Sequence, residues 1–130
     1  MGPVNWLAVG LAAGLGFLLG LLWYGPLSRN RRQPILGAPR SSMTFLAPLV
    51  VMGLAATMFG HAFARIGVDT LAAKPWLYFM QTGGIAIAFV MPVLWLTHLE
   101  SRTEPMWRVF DCLFWLVTYL AMGAVFWLLG

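Results

Sequence analysis

The sequence predicts an all-α, polytopic membrane protein whose four transmembrane helices pack as an antiparallel bundle, with both termini outside the cytoplasm. Three observations predict it: four long apolar runs, tryptophans at the ends of those runs, and arginines concentrated in two of the three connections. Of the 130 residues, 61% are hydrophobic and only 9% are charged, whereas a soluble domain carries about 25% charged residues. We therefore expect a single transmembrane four-helix domain over residues 1–130.

The four predicted spans cover about residues 5–24, 45–65, 76–98 and 107–129. Each contains an apolar run of about 18–22 residues, and a helix needs about 20 residues to cross a 30 Å hydrocarbon layer. Because lipid offers no hydrogen bonds to the backbone, each run is predicted to be α-helical. Tryptophan pairs bracket three of the spans, as expected for the two aromatic belts of a membrane: Trp6 and Trp23, Trp76 and Trp95, and Trp107 and Trp127.

The first and second spans carry stripes of small residues. The glycines of these stripes are Gly10, Gly14, Gly16 and Gly20 in the first span and Gly53 and Gly60 in the second. Small residues at this spacing let another helix approach closely. The stripes indicate either a contact between these two spans of one chain or a seam between copies. Since the second span also lacks tryptophan, we predict that it is the span most covered by protein.

Prolines mark the other two spans. Pro92 lies inside the third span, where it is expected to kink the helix or free a carbonyl group. The sequence Thr103-Glu104-Pro105 is typical of a helix start, because proline is tolerated at the first helical position. The fourth helix is therefore predicted to begin near Pro105.

The positive charges set the predicted orientation. The first connection holds Arg29, Arg31, Arg32 and Arg40, the third holds Arg102 and Arg108, and the middle one holds Arg65 and Lys74. Because arginine-rich connections face the cytoplasm, we expect the first and third connections there, in a bacterial inner membrane. Topology then accounts for the net charge of +4, and no nucleic-acid partner is expected.

Ionisable residues near the spans form the candidate polar site, which consists of His61, Arg65 and Asp111. His61, Arg65 and Asp69 share one helical face if the second helix continues that far. Each ionisable residue in a membrane begins as a functional hypothesis. Three alternatives remain: a structural pair of Arg65 with Asp69 beside a packed His61, a proton- or ligand-handling site, and a metal or haem site.

Asp111 opens the fourth span. A pair with Arg108, or with the arginines after the first span, would lower the cost of burying Asp111; a substrate or ion role is the alternative. His61 and His98 are expected at opposite membrane boundaries, which excludes a haem held by both within one chain. Zinc-like Cys/His spacing is absent, and the single cysteine, Cys112, is expected to be a buried thiol. We predict no catalytic, cofactor or metal residues, with bound lipid as the one possible ligand.

Several pieces of the sequence resemble one known family. They are Asn5-Trp6-Leu7-Ala8-Val9, Leu22-Trp23-Tyr24-Gly25-Pro26-Leu27, Pro92, and Asp111 followed by Tyr119 and Met122-Gly123. They are similar to the small four-span membrane proteins catalogued as domain-of-unknown-function family 1761, found in bacteria and fungi. In that family the fourth span often has Asn or Asp followed by Gly-Tyr, whereas Cys112-Leu113 follows Asp111 here. The resemblance implies a four-helix membrane fold and supplies no activity or catalytic residues.

Three classes of function follow from these features. We expect a structural or accessory subunit, not an enzyme, that associates with itself or with a larger membrane complex. The alternative is a small oligomeric transporter or channel that uses His61 and Asp111. A membrane enzyme would need a polar cluster on one leaflet, for which the candidates are His98, Glu100, Arg102, Arg108 and Asp111.

Overall fold

The computed structural model describes residues 2–25 and 43–130, and the regular elements in these two ranges are all helical. They are α1 (Trp6–Tyr24), α2 (Met43–Ile66), α3 (Val68–Ala73), α4 (Trp76–Ile85), a π-helical segment (Ala86–Val90), α5 (Met91–Glu100) and α6 (Pro105–Leu129). The arginines of the first connection lie outside the described residues.

Four helical segments of this part of the chain are long and apolar enough to cross a membrane, which confirms the predicted multi-pass membrane protein. They are Trp6–Tyr24, Leu46–Ile66, Trp76–Glu100 and Pro105–Leu129. The last helix begins at Pro105, as Thr103-Glu104-Pro105 predicts, so it is two residues longer than the predicted span. Apolar side chains such as Leu7, Met58 and Phe89 are about two-thirds exposed (67%, 69% and 68%), which suits a lipid environment and not water.

The third span contains a π-helical segment immediately before Pro92. The N–H of Met91 bonds to the carbonyl of Ala86, five residues earlier, instead of four. Proline has no N–H to offer, and its ring would collide with the carbonyl four residues before it. The wider π turn relieves that conflict, whereas the predicted kink or freed carbonyl group stays a prediction.

The second span stops earlier than the shared-face hypothesis requires. Helix α2 ends at Ile66, and Gly67 follows with φ of +93°, a conformation that glycine adopts without steric cost. Asp69 therefore lies in the first turn of α3. The prediction that His61, Arg65 and Asp69 share one continuous helical face is wrong, because a glycine turn separates the last of them.

Helix α6 lies at the centre of the fold, in contact with α1 on one side and with α4 and α5 on the other. Its buried side chains include Phe114, Thr118, Met122 and Phe126, spaced four residues apart on one face. In the most apolar part of each span, 39% of residues are buried in α6 but only 28% in α2. The prediction that the second span is the one most covered by protein is therefore wrong. The absence of tryptophan from a helix does not indicate how many other helices pack against it.

Candidate functional site

Three polar side chains meet where α1 ends and α6 begins, and we call them the Asp111 network: Tyr24, His98 and Asp111. The Tyr24 hydroxyl donates to Asp111 Oδ1 over 2.8 Å. His98 Nε2 lies 2.8 Å from Asp111 Oδ2. Asp111 is buried, with 5% of its surface exposed, so both of its carboxylate oxygens are bonded inside the protein, as a buried carboxylate requires.

The fold positions each member of the network from a different helix. Tyr24 is the last residue of α1, His98 lies in the last turn of α5, and Asp111 lies in the second turn of α6. The tight turn between α5 and α6 brings the last two together, since the Thr103 N–H bonds back to the His98 carbonyl over 3.0 Å. The network therefore ties the first span to the last two.

Arg108 does not pair with Asp111, contrary to one of the two predicted partnerships. Its Nε donates to the Thr103 carbonyl over 2.8 Å, and its guanidinium lies over the Trp95 ring, 5.6 Å from the centroid. A cation over an indole face is favourable. Because the Arg108 guanidinium lies there, His98 and not Arg108 pairs with Asp111. The other predicted partners of Asp111, the arginines after the first span, lie outside the described residues.

The geometry of the network fixes the donors. A carboxylate only accepts, so His98 presents Nε2–H to Asp111. A carboxylate that holds one imidazole nitrogen sets the ring's orientation and tautomer, which is the support that histidines need in proton transfer or metal binding. Groups of three or more metal-ligating residues do not occur in the described ranges. The Cys112 thiol is buried, next in sequence to Asp111, and lies 3.9 Å from the Met91 carbonyl oxygen.

His61 lies far from this network. Its Nδ1 bonds to the Thr57 carbonyl on its own helix over 2.9 Å, and its ring meets the edge of Trp6 at a centroid distance of 5.8 Å. Trp6 begins α1 and Tyr24 ends it, about 27 Å apart along a helix of 1.5 Å rise per residue. The structure therefore separates His61 from Asp111 and brings His98 to Asp111. Arg65 is exposed in the last turn of α2.

The six predicted packing glycines fall into three groups. A Cβ on Gly16 would lie 2.6 Å from Met122 Cε, and one on Gly60 would lie 2.6 Å from Val9 Cγ2, so these two permit close helix contact. Gly20 has ordinary contact with Phe114, at 3.6 Å. The other three, Gly10, Gly14 and Gly53, have open space where a Cβ would be.

Asn5 connects α1 to α6 at the end of the bundle opposite the Asp111 network. Its side-chain oxygen accepts from the Ala8 N–H over 3.1 Å and caps α1. Its Nδ2 donates to the Leu129 carbonyl over 3.0 Å, at the end of α6. Asn5, Tyr24 and Asp111 are polar residues within the pieces that carry the family resemblance, and each of them bonds to another helix.

The sequence did not indicate that Tyr24 is part of the site. A tyrosine that ends an apolar run is typical of the aromatic belt, and only contact with a helix 87 residues away reveals its partner. Its place inside the shared Trp-Tyr-Gly-Pro piece was the one available signal. The sequence suggested His98 as a member of a possible enzyme cluster and, until the predicted topology excluded it, as a haem ligand with His61, but not as a partner of Asp111 alone. The close-packed glycines Gly83 and Gly123 were missed because neither belongs to a glycine pair at the expected spacing.

Replacing Tyr24 with phenylalanine is expected to lower the free energy of unfolding by about 1 kcal/mol, because one hydrogen bond to a carboxylate is lost. Thermal unfolding in a mild detergent measures this change. Tyr119→Phe is the matched control, since the described residues supply no hydrogen-bond partner for that hydroxyl. Equal effects of the two variants would mean that the Tyr24–Asp111 bond contributes nothing.

Comparison with known proteins gives a family and no activity. The family model described as "Protein of unknown function (DUF1761)" matches residues 7–127, almost the entire chain. Neither the curated proteins nor the solved structures contain a significant match. The match includes nearly all of the four spans and the complete Asp111 network, and the protein belongs to the DUF1761 family.

Proposed function

We propose that this protein is a non-enzymatic membrane subunit that works through helix contacts with further copies of itself, with a larger membrane complex as the second possible assembly. The observation that carries the proposal is that three polar side chains of the protein form hydrogen bonds between its own helices. Asn5, Tyr24 and Asp111 all hold helix ends of the same chain together. Side chains whose hydrogen bonds are made within the fold support packing more directly than they support catalysis.

The proposed topology is an antiparallel bundle with both termini outside the cytoplasm of a bacterial inner membrane. Contacts at the two ends of α1 support it: the Gly2 N–H bonds to the Ala64 carbonyl and Asn5 bonds to Leu129, whereas Tyr24 bonds to Asp111. The turn between α5 and α6, which contains Arg102, is also at the Tyr24 end, because His98 and Asp111 flank it. The first connection begins after Tyr24 in the sequence, so the proposed topology puts both arginine-containing connections on the cytoplasmic face, in accord with the positive-inside rule.

The face of α1 that carries Gly10 and Gly14 supports association with a second copy. Among the described residues, nothing lies within 4 Å of a Cβ placed on either glycine, and Leu7, Leu11 and Leu18 on the same helix are exposed. A glycine pair at i and i+4 suits a symmetric crossing of two identical helices. The transporter alternative has less support, because the two residues it uses, His61 and Asp111, occupy opposite ends of the bundle.

Replacing both Gly10 and Gly14 with leucine is expected to weaken self-association by about tenfold or more while leaving the melting temperature unchanged. The reason is that both side chains would extend from the bundle into the space where a second helix approaches. Fluorescence energy transfer between labelled copies in lipid vesicles measures the association.

Gly53→Leu is the matched control, since Gly53 is also open but lies on α2. Undiminished energy transfer in the double variant would contradict self-association through α1. A wild-type protein that shows no transfer but co-purifies with one defined membrane complex would replace the self-association proposal with the accessory one.

A further inference from the structure

A groove of about 310 Å³ lies between α5 and α6 on the outside of the bundle, and we call it the α5–α6 groove. Its lining side chains are apolar apart from one thiol: Met91, Pro92, Trp95, Val109, Cys112 and Leu113. Val109 and Leu113 are about half exposed, so the groove opens where lipid surrounds the protein. Its volume is at the lower end of the usual range for ligand sites, about 300–1,000 Å³.

The irregular part of the third span adjoins this groove. The π-helical segment ends at Val90, and the next two residues, Met91 and Pro92, line the groove. Segments of this kind are frequent at functional sites. Across the groove, the buried Cys112 thiol lies 3.9 Å from the Met91 carbonyl oxygen. A small side chain and backbone therefore form the floor, which leaves the space above them open.

A cation lies at one end of the α5–α6 groove. Arg108 immediately precedes Val109, and its guanidinium lies over the ring of Trp95, 5.6 Å from the centroid. Its Nε donates to the Thr103 carbonyl, which fixes the guanidinium in place. In the described part of the chain Arg108 forms no ion pair, so its two Nη groups are available to an anion.

The groove lies on a different side of α6 from the helices that flank residues 26–42. In the described part of the chain, neither α1 nor α2 packs against α5. Tyr24, near the end of the first range, contacts the rings of Phe110 and Phe114. Val109 and Leu113 each lie one residue earlier, about 100° around the helix. The lining and the cation of the groove therefore all come from described residues.

These features suit an occupant that is apolar along the groove and anionic beside Arg108. A phospholipid has both properties, because its acyl chains adjoin a phosphate group. A guanidinium can bind a phosphate through two parallel N–H bonds. Tryptophan is enriched at the level of the lipid headgroups, and Trp95 lies between the cation and the rest of the groove.

We propose that the α5–α6 groove binds one phospholipid from the leaflet on the side of the Asp111 network, with its phosphate at Arg108 and one acyl chain over Pro92 and Cys112. The acyl chain restores dispersion contacts that an empty gap between helices would lose. The site does not include the face of α1 that carries Gly10 and Gly14, so it is independent of the proposed self-association.

The test uses full-length protein in lipid nanodiscs that contain phosphatidylglycerol with a photoreactive acyl chain. In the wild type, mass spectrometry should place crosslinks on the residues of the α5–α6 groove. Leu113→Trp fills the groove with an indole, and we expect crosslinked lipid in the groove to fall about tenfold. Val117→Trp is the matched control, because Val117 is exposed one turn further along α6 and does not line the groove.

Variants of Arg108 test the phosphate contact. Arg108→Gln should lower labelling of the groove about fivefold, since a charge-assisted hydrogen bond to the phosphate is lost. Arg108→Lys keeps the charge and should retain most of the labelling. A photoreactive diacylglycerol, which has no phosphate, should label the wild-type groove as weakly as phosphatidylglycerol labels Arg108→Gln.

Four results would overturn the proposal. Crosslinks distributed evenly over all exposed helix faces would indicate ordinary surrounding lipid, and unchanged labelling of Leu113→Trp would refute the groove as the site. Equal labelling by diacylglycerol and phosphatidylglycerol would refute recognition of the phosphate. Crosslinks from a photoreactive side chain at position 113 to a second copy, or to another segment of the same chain, would identify a different occupant.

Discussion

Replacing Gly123 with leucine is expected to destabilise the fold by about 3 kcal/mol, since overpacking of this kind costs about 1–3 kcal/mol and sometimes more. A Cβ at this position would lie 2.6 Å from Thr82 Oγ1 and 3.1 Å from the Tyr78 carbonyl oxygen. The second contact is with backbone, so α4 itself would have to move away from α6. Chemical unfolding in mixed micelles measures the loss.

A milder variant keeps this prediction testable if Gly123→Leu fails to accumulate. Gly123→Ala is expected to cost about 1 kcal/mol, because the clashing atom is already present in alanine. Gly84→Leu is the control: Gly84 is exposed on α4 and has nothing within 4 Å of a Cβ. If Gly84→Leu is as damaging as Gly123→Leu, the close approach of α4 and α6 is not the cause.

Asp111→Leu is expected to lower the free energy of unfolding by about 3 kcal/mol, because two hydrogen bonds to a carboxylate disappear and their donors stay partly buried. Asp111→Asn should cost about 1 kcal/mol, since an amide oxygen still accepts from Tyr24 and its NH₂ can donate to a His98 ring of the other tautomer. The measurement is the melting temperature of detergent-purified protein, with exposed Asp69→Asn as the control.

The two Asp111 variants also separate structural from functional roles. A structural role predicts that self-association, measured by energy transfer between labelled copies, follows stability, so Asp111→Asn still associates. If Asp111→Asn abolishes self-association at nearly unchanged stability, the charge or the proton of the carboxylate is used in function, and a purely structural role for Asp111 fails.

The spans could be predicted because hydropathy and length are properties of each segment alone. Pro92 likewise indicated an irregular helix, since the missing N–H is a property of that residue alone. Which residues neighbour each helix depends on its rotation about its own axis, and glycine spacing does not determine that rotation. The same spacing rule therefore selected Gly16, which is closely packed, and Gly10, which is open.

The candidate site was less predictable for the same reason. Local spacing suggested Arg108 as the partner of Asp111, three residues away, whereas the described partners His98 and Tyr24 are 13 and 87 residues distant. The short loop between the third and fourth spans is compatible with a contact between His98 and Asp111, but its length alone does not predict that contact. Asp69 does not belong to the predicted cluster because α2 ends before Gly67. The position at which a helix ends near a glycine depends on backbone conformation and not on hydropathy.

Both ends of α1 are held by the last span, through Asn5 with Leu129 and Tyr24 with Asp111. Because synthesis runs from the N-terminus, α1 is made before α6, and Asn5 and Tyr24 gain these partners only after α6 has been made. A nascent or truncated chain lacking α6 therefore lacks the two bonds that hold the ends of α1. These bonds distinguish a complete copy from an unfinished one.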